Sequence, residues 1–341
     1  MSDEDVATKA PESDAQENTP IAGDSVVDQG ASLGEHGQPE RHLQAFVPQA
    51  TPGSQLQVYI TKPADYPHSP SKLLLFLTGG TGIHSTNNQL QADKYASEGF
   101  LVVMPDQFNG DTAPNTNTTI HSESSPSFIE RVKLGIAEAA KSFQIDMWLA
   151  RHTPATVLPH LHRLLAALRD EFADAVANGD GIYAVGYSFG AKYVLLLGSD
   201  LGDEMATGQR EGSQESKAEE GKMKGPAIKV GALAHGIIDR EDFVHLKVPV
   251  GMVCVEGDPL FSDEAREEGS RSRSRRAWRL RVGCTLVFRM ASAFPVLTIS
   301  RTKVANRYAV GFAVVGHYDD PKIQDSQKKA FDQMLGWLKS H

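Results

Sequence analysis

The stretch that decides the fold is residues 181–194, which read G-I-Y-A-V-G-Y-S-F-G-A-K-Y-V. An apolar run of strand composition leads into Gly186-Tyr187-Ser188-Phe189-Gly190, and residues of helical pattern follow directly. The glycines two positions before and after the serine allow a sharp turn in which backbones approach closely. The stretch therefore predicts a strand, a tight turn with Ser188 at its apex, and a helix whose positive N-terminal end lies next to the serine hydroxyl.

From about residue 55 onward, short strand-like runs alternate with stretches of helical period. This alternation is typical of an α/β domain with a mostly parallel central sheet and helices on both faces. The predicted strands are residues 56–61, 73–78, 101–105, 182–187, 228–234 and 248–255, and the predicted helices are 88–97, 154–177 in two parts, 189–198 and 324–338. In the last helix we expect an apolar stripe to pack on the sheet: Ala330, Phe331, Met334, Leu335 and Leu338.

The chain is predicted to consist of a disordered acidic leader, residues 1–45, and one domain, residues 46–341. Residues 1–40 carry ten acidic side chains against Lys9 alone and contain no Phe, Tyr or Trp. Such a segment cannot bury enough apolar surface to offset its chain entropy. It either binds a basic partner or simply keeps the protein in solution. Within the domain, residues 202–225 are polar and predict a surface loop.

Residues 265–307 are predicted to be an atypical arginine-rich insertion. Between residues 265 and 289 there are eight arginines and two glutamates, a net charge of +6. The block could contact phosphate or RNA, or it could be an unstructured insertion. Trp278 is the one aromatic residue among arginines 266–281, and the absence of an interleaved aromatic platform favours the insertion.

Charge and cysteine content exclude several classes of protein. The formal net charge is -9, which equals the charge of residues 1–40, so the rest of the chain is neutral in sum and does not favour nucleic acid as a partner. No run approaches the roughly 18 apolar residues of a membrane span, and the acidic start does not resemble a signal peptide. The two cysteines, Cys254 and Cys284, cannot form a disulfide framework or a cysteine-rich metal site. We therefore expect a cytoplasmic protein that is not bound to a membrane.

A serine on a strand-turn-helix junction of this kind is typical of the nucleophile elbow of α/β-hydrolases, and the position of the motif in an alternating chain favours the elbow over an ordinary glycine-rich turn. A serine nucleophile needs an oxyanion hole, formed by the N–H of the following residue and an N–H from the loop after an earlier strand. The predicted donors are Phe189 and Gly80, which lies in the glycine-rich turn 79–82 after strand 73–78.

The triad order in such enzymes is nucleophile, acid, histidine. Asp258 lies just beyond predicted strand 248–255, where the acid belongs, and Glu256 is the lesser candidate. After Asp258 the chain has only His317 and His341. Because His341 is the last residue, His317 is the predicted base.

These motifs together resemble the dienelactone hydrolase family, the carboxymethylenebutenolidase-like branch of the α/β-hydrolases, and its fungal members in particular. The resemblance covers roughly residues 53–264 and 308–340. It implies a single-domain hydrolase without metal or cofactor that opens small lactones or esters, its small-molecule partners, through an acyl-enzyme. Its landmarks are Thr78 to Asp93, Pro105 to Asp111, the elbow Gly186 to Tyr193, Ala232 to His235, Asp258 to Phe261, and Gly311 to Val314.

The sequence departs from the family pattern at three places. Ser188 stands where the family typically has cysteine, and Gly79 stands where relatives usually have an acid. Near the C-terminus the family reads H-G-F-A-x-R-G, and this chain has Val310 and Val315 at the histidine and arginine positions. Without a base, a serine hydrolase loses on the order of 10⁴ to 10⁶ in kcat. The alternative to a working triad through His317 is therefore an impaired enzyme or a non-catalytic binding homologue.

Two further residues and one block have open interpretations. Arg151 occupies a place where relatives carry an arginine, and it either contacts a substrate carboxylate or forms a surface ion pair. His235 either lines the pocket or is a hydrogen-bonded structural residue. The arginine-rich block lies next to the altered C-terminal motif, which suggests that residues 266–309 derive from an error in the gene model. Sequencing the mature transcript tests that hypothesis.

Overall fold

The computed structural model describes residues 40–46, 56–114, 144–200, 225–254, 282–286, 313 and 321–341. Within these residues there are eight strands: β1 (Glu40–Phe46), β2 (Leu56–Lys62), β3 (Lys72–Leu77), β4 (Phe100–Pro105), β5 (Tyr183–Tyr187), β6 (Val230–Ala234), β7 (Val250–Cys254) and β8 (Val282–Leu286). The helices are α1 (Thr86–Ala96), α2 (144–151), α3 (Pro154–Glu171), α4 (Ala173–Gly179), α5 (Phe189–Leu197) and α6 (Pro321–Lys339), with a 3₁₀ turn at Arg240–Phe243.

The eight strands form one sheet in the order β1-β2-β4-β3-β5-β6-β7-β8. Strand β2 pairs antiparallel with β1 and with β4, and all other neighbours are parallel. This topology confirms the predicted α/β fold with a mostly parallel sheet. Because parallel strands end at the same edge, the residues that follow β3, β4, β5 and β6 meet there.

Two apolar layers cover the sheet, one on each face, because side chains alternate along a buried strand. In β3, Leu73, Leu75 and Leu77 pack with α3, α4 and α5, whereas Leu74 and Phe76 pack with α1 and α6. The predicted stripe of α6 also packs there: Ala330, Phe331, Met334 and Leu338 are buried and Leu335 is partly buried. The prediction of helices on both faces is therefore confirmed.

The predicted strands and helices are confirmed to within three residues at each end. Three elements were not expected. Strand β1 occupies the end of the predicted leader 1–45, and its pairing with β2 supplies backbone hydrogen bonds that composition does not reveal. Strand β8 lies within the predicted insertion 265–307, where a five-residue apolar run pairs with β7. Helix α2 was also missed, and the rest of the leader, residues 202–224 of the loop and the remainder of the insertion lie outside the described residues.

Candidate active site

Ser188 lies at the apex of the turn between β5 and α5, as the sequence predicts. Its backbone has φ 52° and ψ -114°, outside the main regions that L-residues occupy, which costs roughly 1 to 3 kcal/mol. The Ser188 N–H donates to the carbonyl of Ala234 at 3.1 Å, and its carbonyl accepts from Ala191 N–H at 3.2 Å. Neighbouring strand and helix thus hold the serine in a conformation that places it before the first turn of α5.

Glycines on either side of Ser188 let the backbones pack closely. A Cβ on Gly190 would overlap the carbonyl of Leu77 at the end of β3, and a Cβ on Gly186 would lie 2.5 Å from the Gly190 carbonyl oxygen. In both cases the added Cβ would come closer to a backbone atom than Cβ atoms do in folded proteins. The two glycines therefore join β3, β5 and α5 at the turn, which explains their spacing around the serine.

Gly80 and Phe189, the predicted oxyanion donors, lie close together. A Cβ on Gly80 would be 3.4 Å from the Phe189 ring, and the Gly80 carbonyl accepts from Ala113 N–H at 2.8 Å. Both residues are partly exposed, as is Ser188. Among the described residues, the structure gives neither N–H a hydrogen-bond acceptor. The two predicted donors thus lie on neighbouring segments next to the serine.

Gly79 lies against the serine itself. A Cβ at this position would be 3.3 Å from Ser188 Cβ and 3.9 Å from its Oγ. A side chain at this position would therefore lie in contact with the serine, and the glycine leaves that space open.

An aromatic cluster, Phe108, Trp148, His152 and Phe189, supports the residue after the serine. The Trp148 ring lies 4.6 Å from the Phe189 ring and 4.8 Å from the Phe108 ring, separations at which edge-to-face pairs are favourable. Trp148 is fully buried and donates from Nε1 to the Asp111 carbonyl at 2.8 Å. The cluster thus joins α2, the loop after β4 and the first residue of α5.

Arg151 forms an ion pair on the outer side of this cluster. Its Nε and Nη2 both lie 2.9 Å from Asp111 Oδ2. The two side chains are 52% and 41% exposed, so the pair contributes little to stability. The structure therefore shows the ion pair that was one of the two interpretations of Arg151, and substrate contact by its remaining donors stays a prediction.

Asp106 is a buried acid at the same edge of the sheet, directly after β4. Its exposure is 8%. Burial raises the pKa of the carboxyl above its usual value, although backbone hydrogen bonds from Gly110 and Phe108 and the nearby His84 and His152 oppose the shift. Asp106 therefore holds the loop that carries Phe108.

His235 is 3% exposed and follows β6 with φ 53°. Its Nε2 accepts a hydrogen bond from the backbone N–H of Ala313 at 3.0 Å. The interpretation of His235 as a hydrogen-bonded buried residue agrees with this contact. Its partner is remote in sequence and belongs to the altered C-terminal motif.

Several predicted site residues lie outside the described residues: Glu256, Asp258, Val310, Val315 and His317. Strand β7 ends at Cys254, four positions before Asp258. Over the described ranges, no helix combines the length and apolar character that crossing a membrane requires. In the same part of the chain, no group of three or more His, Cys, Asp or Glu side chains could hold a metal ion.

Sequence reasoning missed the aromatic cluster. The loop Pro105 to Asp111 was noted as a landmark and gave a usable signal, because polar residues and a glycine follow directly after a buried strand. Trp148 gives none, because three of the positions that share its helix face, Gln144, Arg151 and His152, are polar and form no apolar stripe.

Comparison with known proteins gives two fungal relatives and a structural neighbour. Hydrolase pyvD of Aspergillus violaceofuscus is 31% identical over 240 residues, which are 70% of this chain and 73% of that protein. Hydrolase tropI of Talaromyces stipitatus is 26% identical over 222 residues, or 62% of this chain and 65% of that protein. A structure described as a dienelactone hydrolase from Klebsiella pneumoniae superposes with a TM-score of 0.55 at 13% identity, covering 89% of this chain and 99% of that one. The superposition confirms the predicted fold, and no family model matches the sequence.

Proposed function

The chain belongs to the dienelactone hydrolase family of α/β-hydrolases, and we propose on this premise that it hydrolyses small esters or lactones through an acyl-enzyme on Ser188. The observation that carries the proposal is the backbone of Ser188, at φ 52° and ψ -114° before the first turn of α5. Strained residues of this kind persist where the surrounding structure enforces them, and they cluster at active sites. The space beside Gly79 and the two predicted N–H donors next to the serine support the same proposal.

In the proposed mechanism, Ser188 Oγ attacks the carbonyl carbon while the base, His317, takes the hydroxyl proton. The N–H groups of Phe189 and Gly80 stabilise the oxyanion, and Asp258 orients the base. The tetrahedral intermediate expels the alcohol oxygen, which receives the proton from the base. Water, deprotonated by the same base, then attacks the acyl carbonyl. The acid is released as Ser188 Oγ takes that proton back from the base. For a lactone, both products remain in one molecule.

A serine in place of the family cysteine changes what the site requires. A serine hydroxyl stays protonated at neutral pH, so it depends on a neighbouring base more than a thiol does. The proposal therefore stands on His317 as well as on Ser188. The rival function, a binding homologue without turnover, follows if no base reaches the serine.

The test is hydrolysis of p-nitrophenyl butyrate by the purified full chain, together with labelling by a fluorophosphonate probe. Wild-type protein is expected to release p-nitrophenol and to be labelled, and Ser188→Ala to do neither. His317→Gln is expected to lower kcat by at least about 10³-fold, whereas His341→Gln, its matched control, leaves kcat unchanged. Equal turnover by wild type and Ser188→Ala would overturn the proposal, and absence of both turnover and labelling in the wild type would favour the binding homologue.

The cytoplasmic location predicted from the sequence is part of the proposal. It rests on the cysteine content, because two cysteines cannot form the disulfide framework that is typical of secreted proteins.

A further inference from the structure

We infer that His235 is a positioning residue, which anchors the main chain of Ala313 beside the nucleophile turn. Its Nε2 accepts the Ala313 N–H at 3.0 Å, and both residues are buried, at 3% and 1% exposure. Since Nε2 is the acceptor, the neutral ring carries its proton on Nδ1. The contact joins positions 78 residues apart, so it holds two segments together rather than stabilising a local turn.

Residues before and after His235 form hydrogen bonds with the backbone of Ser188. Ala234 accepts the Ser188 N–H at 3.1 Å, and Ile237 N–H lies 3.4 Å from the Ser188 carbonyl oxygen. His235 itself has φ 53°, a region that histidine and asparagine enter more readily than most residues. The segment that follows β6 is therefore hydrogen-bonded both to Ser188 and, through His235, to Ala313.

Ala313 lies in a short stretch that matters for the proposed chemistry. It is three residues after Val310, at the family's histidine position, and four before His317, the predicted base. Ala313 also belongs to the apolar cluster that contains Tyr187, Ala234 and Val253. Under the proposed function, loss of an anchor four residues from His317 is expected to lower turnover. The inference rests on the proposed function for its catalytic part, whereas the anchor itself does not.

Two polar substitutions of His235 differ in whether their side-chain oxygen can accept the Ala313 N–H. Glutamine places an amide oxygen at about the position of Nε2, whereas asparagine is too short and occupies the position of Nδ1. Asparagine fits the backbone at positive φ better than glutamine does. Any advantage of His235→Gln over His235→Asn therefore reports the contact with Ala313 and not backbone strain. His245→Asn is the control, because this half-exposed histidine lies beside Asp200.

The first readout is amide hydrogen exchange at Ala313, measured under conditions where all variants remain folded. His235→Asn is expected to exchange about tenfold faster than wild type, the loss expected for one hydrogen bond, and His235→Gln to remain within about threefold of it. The second readout is hydrolysis of p-nitrophenyl butyrate. There His235→Asn is expected to lower kcat about tenfold or more with little change in KM, and His235→Gln to restore most of it.

Equal exchange at Ala313 in wild type and His235→Asn would overturn the anchor. Faster exchange with an unchanged kcat would overturn the positioning role. If the wild type hydrolyses no ester, the proposed function fails by itself, and the exchange rates still decide whether His235 holds Ala313. If His235→Asn does not fold, protection at Ala313 and kcat in His235→Gln decide, and loss of both would overturn the inference.

Discussion

Gly190, in the first turn of α5, lies directly against the carbonyl oxygen of Leu77 at the end of β3. This contact brings the nucleophile turn up to the loop that carries Gly79 and Gly80. The arrangement of Gly80, Phe189 and Ser188, on which the proposed oxyanion hole depends, therefore requires one close approach between two backbones, which only glycine permits.

Substitution Gly190→Ala should consequently destabilise the protein and remove activity. The added Cβ overlaps main-chain atoms of β3, which cannot move without shifting the centre of the sheet. We expect a loss of about 2 kcal/mol or more in the free energy of unfolding, measured by urea denaturation. Gly336→Ala is the control, because a Cβ there meets nothing within 4 Å and should stabilise α6 by about 0.5 to 1 kcal/mol. Equal stability of the two variants would contradict the packing argument.

The strain at Ser188 predicts an unusual order of stabilities. Glycine enters φ 52° without steric cost, whereas alanine keeps the strain of serine. Ser188→Gly is expected to be more stable than Ser188→Ala by about 1 kcal/mol, and both are expected to be inactive. The same pair at Ser97, where φ is -65°, should show the reverse order. Identical orders at the two positions would mean that the turn is not strained.

Two tryptophans allow a matched test of the aromatic cluster. Trp148 donates from Nε1 to the Asp111 carbonyl at 2.8 Å, and Trp337 donates to the Gly231 carbonyl at 2.9 Å. Replacement by phenylalanine removes one such bond in each case and should cost about 1 to 3 kcal/mol of stability. Because Trp148 packs on Phe189, Trp148→Phe should also lower kcat by about 3- to 30-fold, while Trp337→Phe leaves it within about twofold. A similar loss of kcat in both variants would show a general effect of destabilisation.

Arg151 can be tested with two esters of similar length, p-nitrophenyl hemisuccinate and p-nitrophenyl valerate. If its remaining donors hold a substrate carboxylate, Arg151→Gln raises KM for the anionic ester about tenfold and leaves KM for the neutral ester unchanged. Stability should fall by less than about 1 kcal/mol, because the pair with Asp111 is half exposed. Arg163→Gln, in α3, is the control. An equal effect on KM for both esters would show that Arg151 does not bind the substrate carboxylate.

The sequence predicted the elements whose conformation depends on residues close together in the chain. Gly186, Ser188 and Gly190 lie within five residues, and their spacing reflects the turn they form. The contact between His235 and Ala313 could not be predicted, because it joins segments 78 residues apart. Both residues lie in landmarks of the resemblance, but those landmarks do not indicate which residues touch. Trp148 was missed for a related reason: its partners Phe108 and Phe189 lie on two other parts of the chain.

Strand β8 has a consequence for the hypothesis that the arginine-rich block is foreign to the gene. It pairs along all five residues of β7, a strand whose residues are all buried. A splice form without the block would end its sheet on β7, with unpaired N–H and C=O groups along an apolar edge that could recruit strands from other molecules. We therefore expect a shorter transcript to encode a replacement strand or a segment that covers this edge, and a search for the authentic exon can begin with a five-residue apolar segment able to pair parallel with β7.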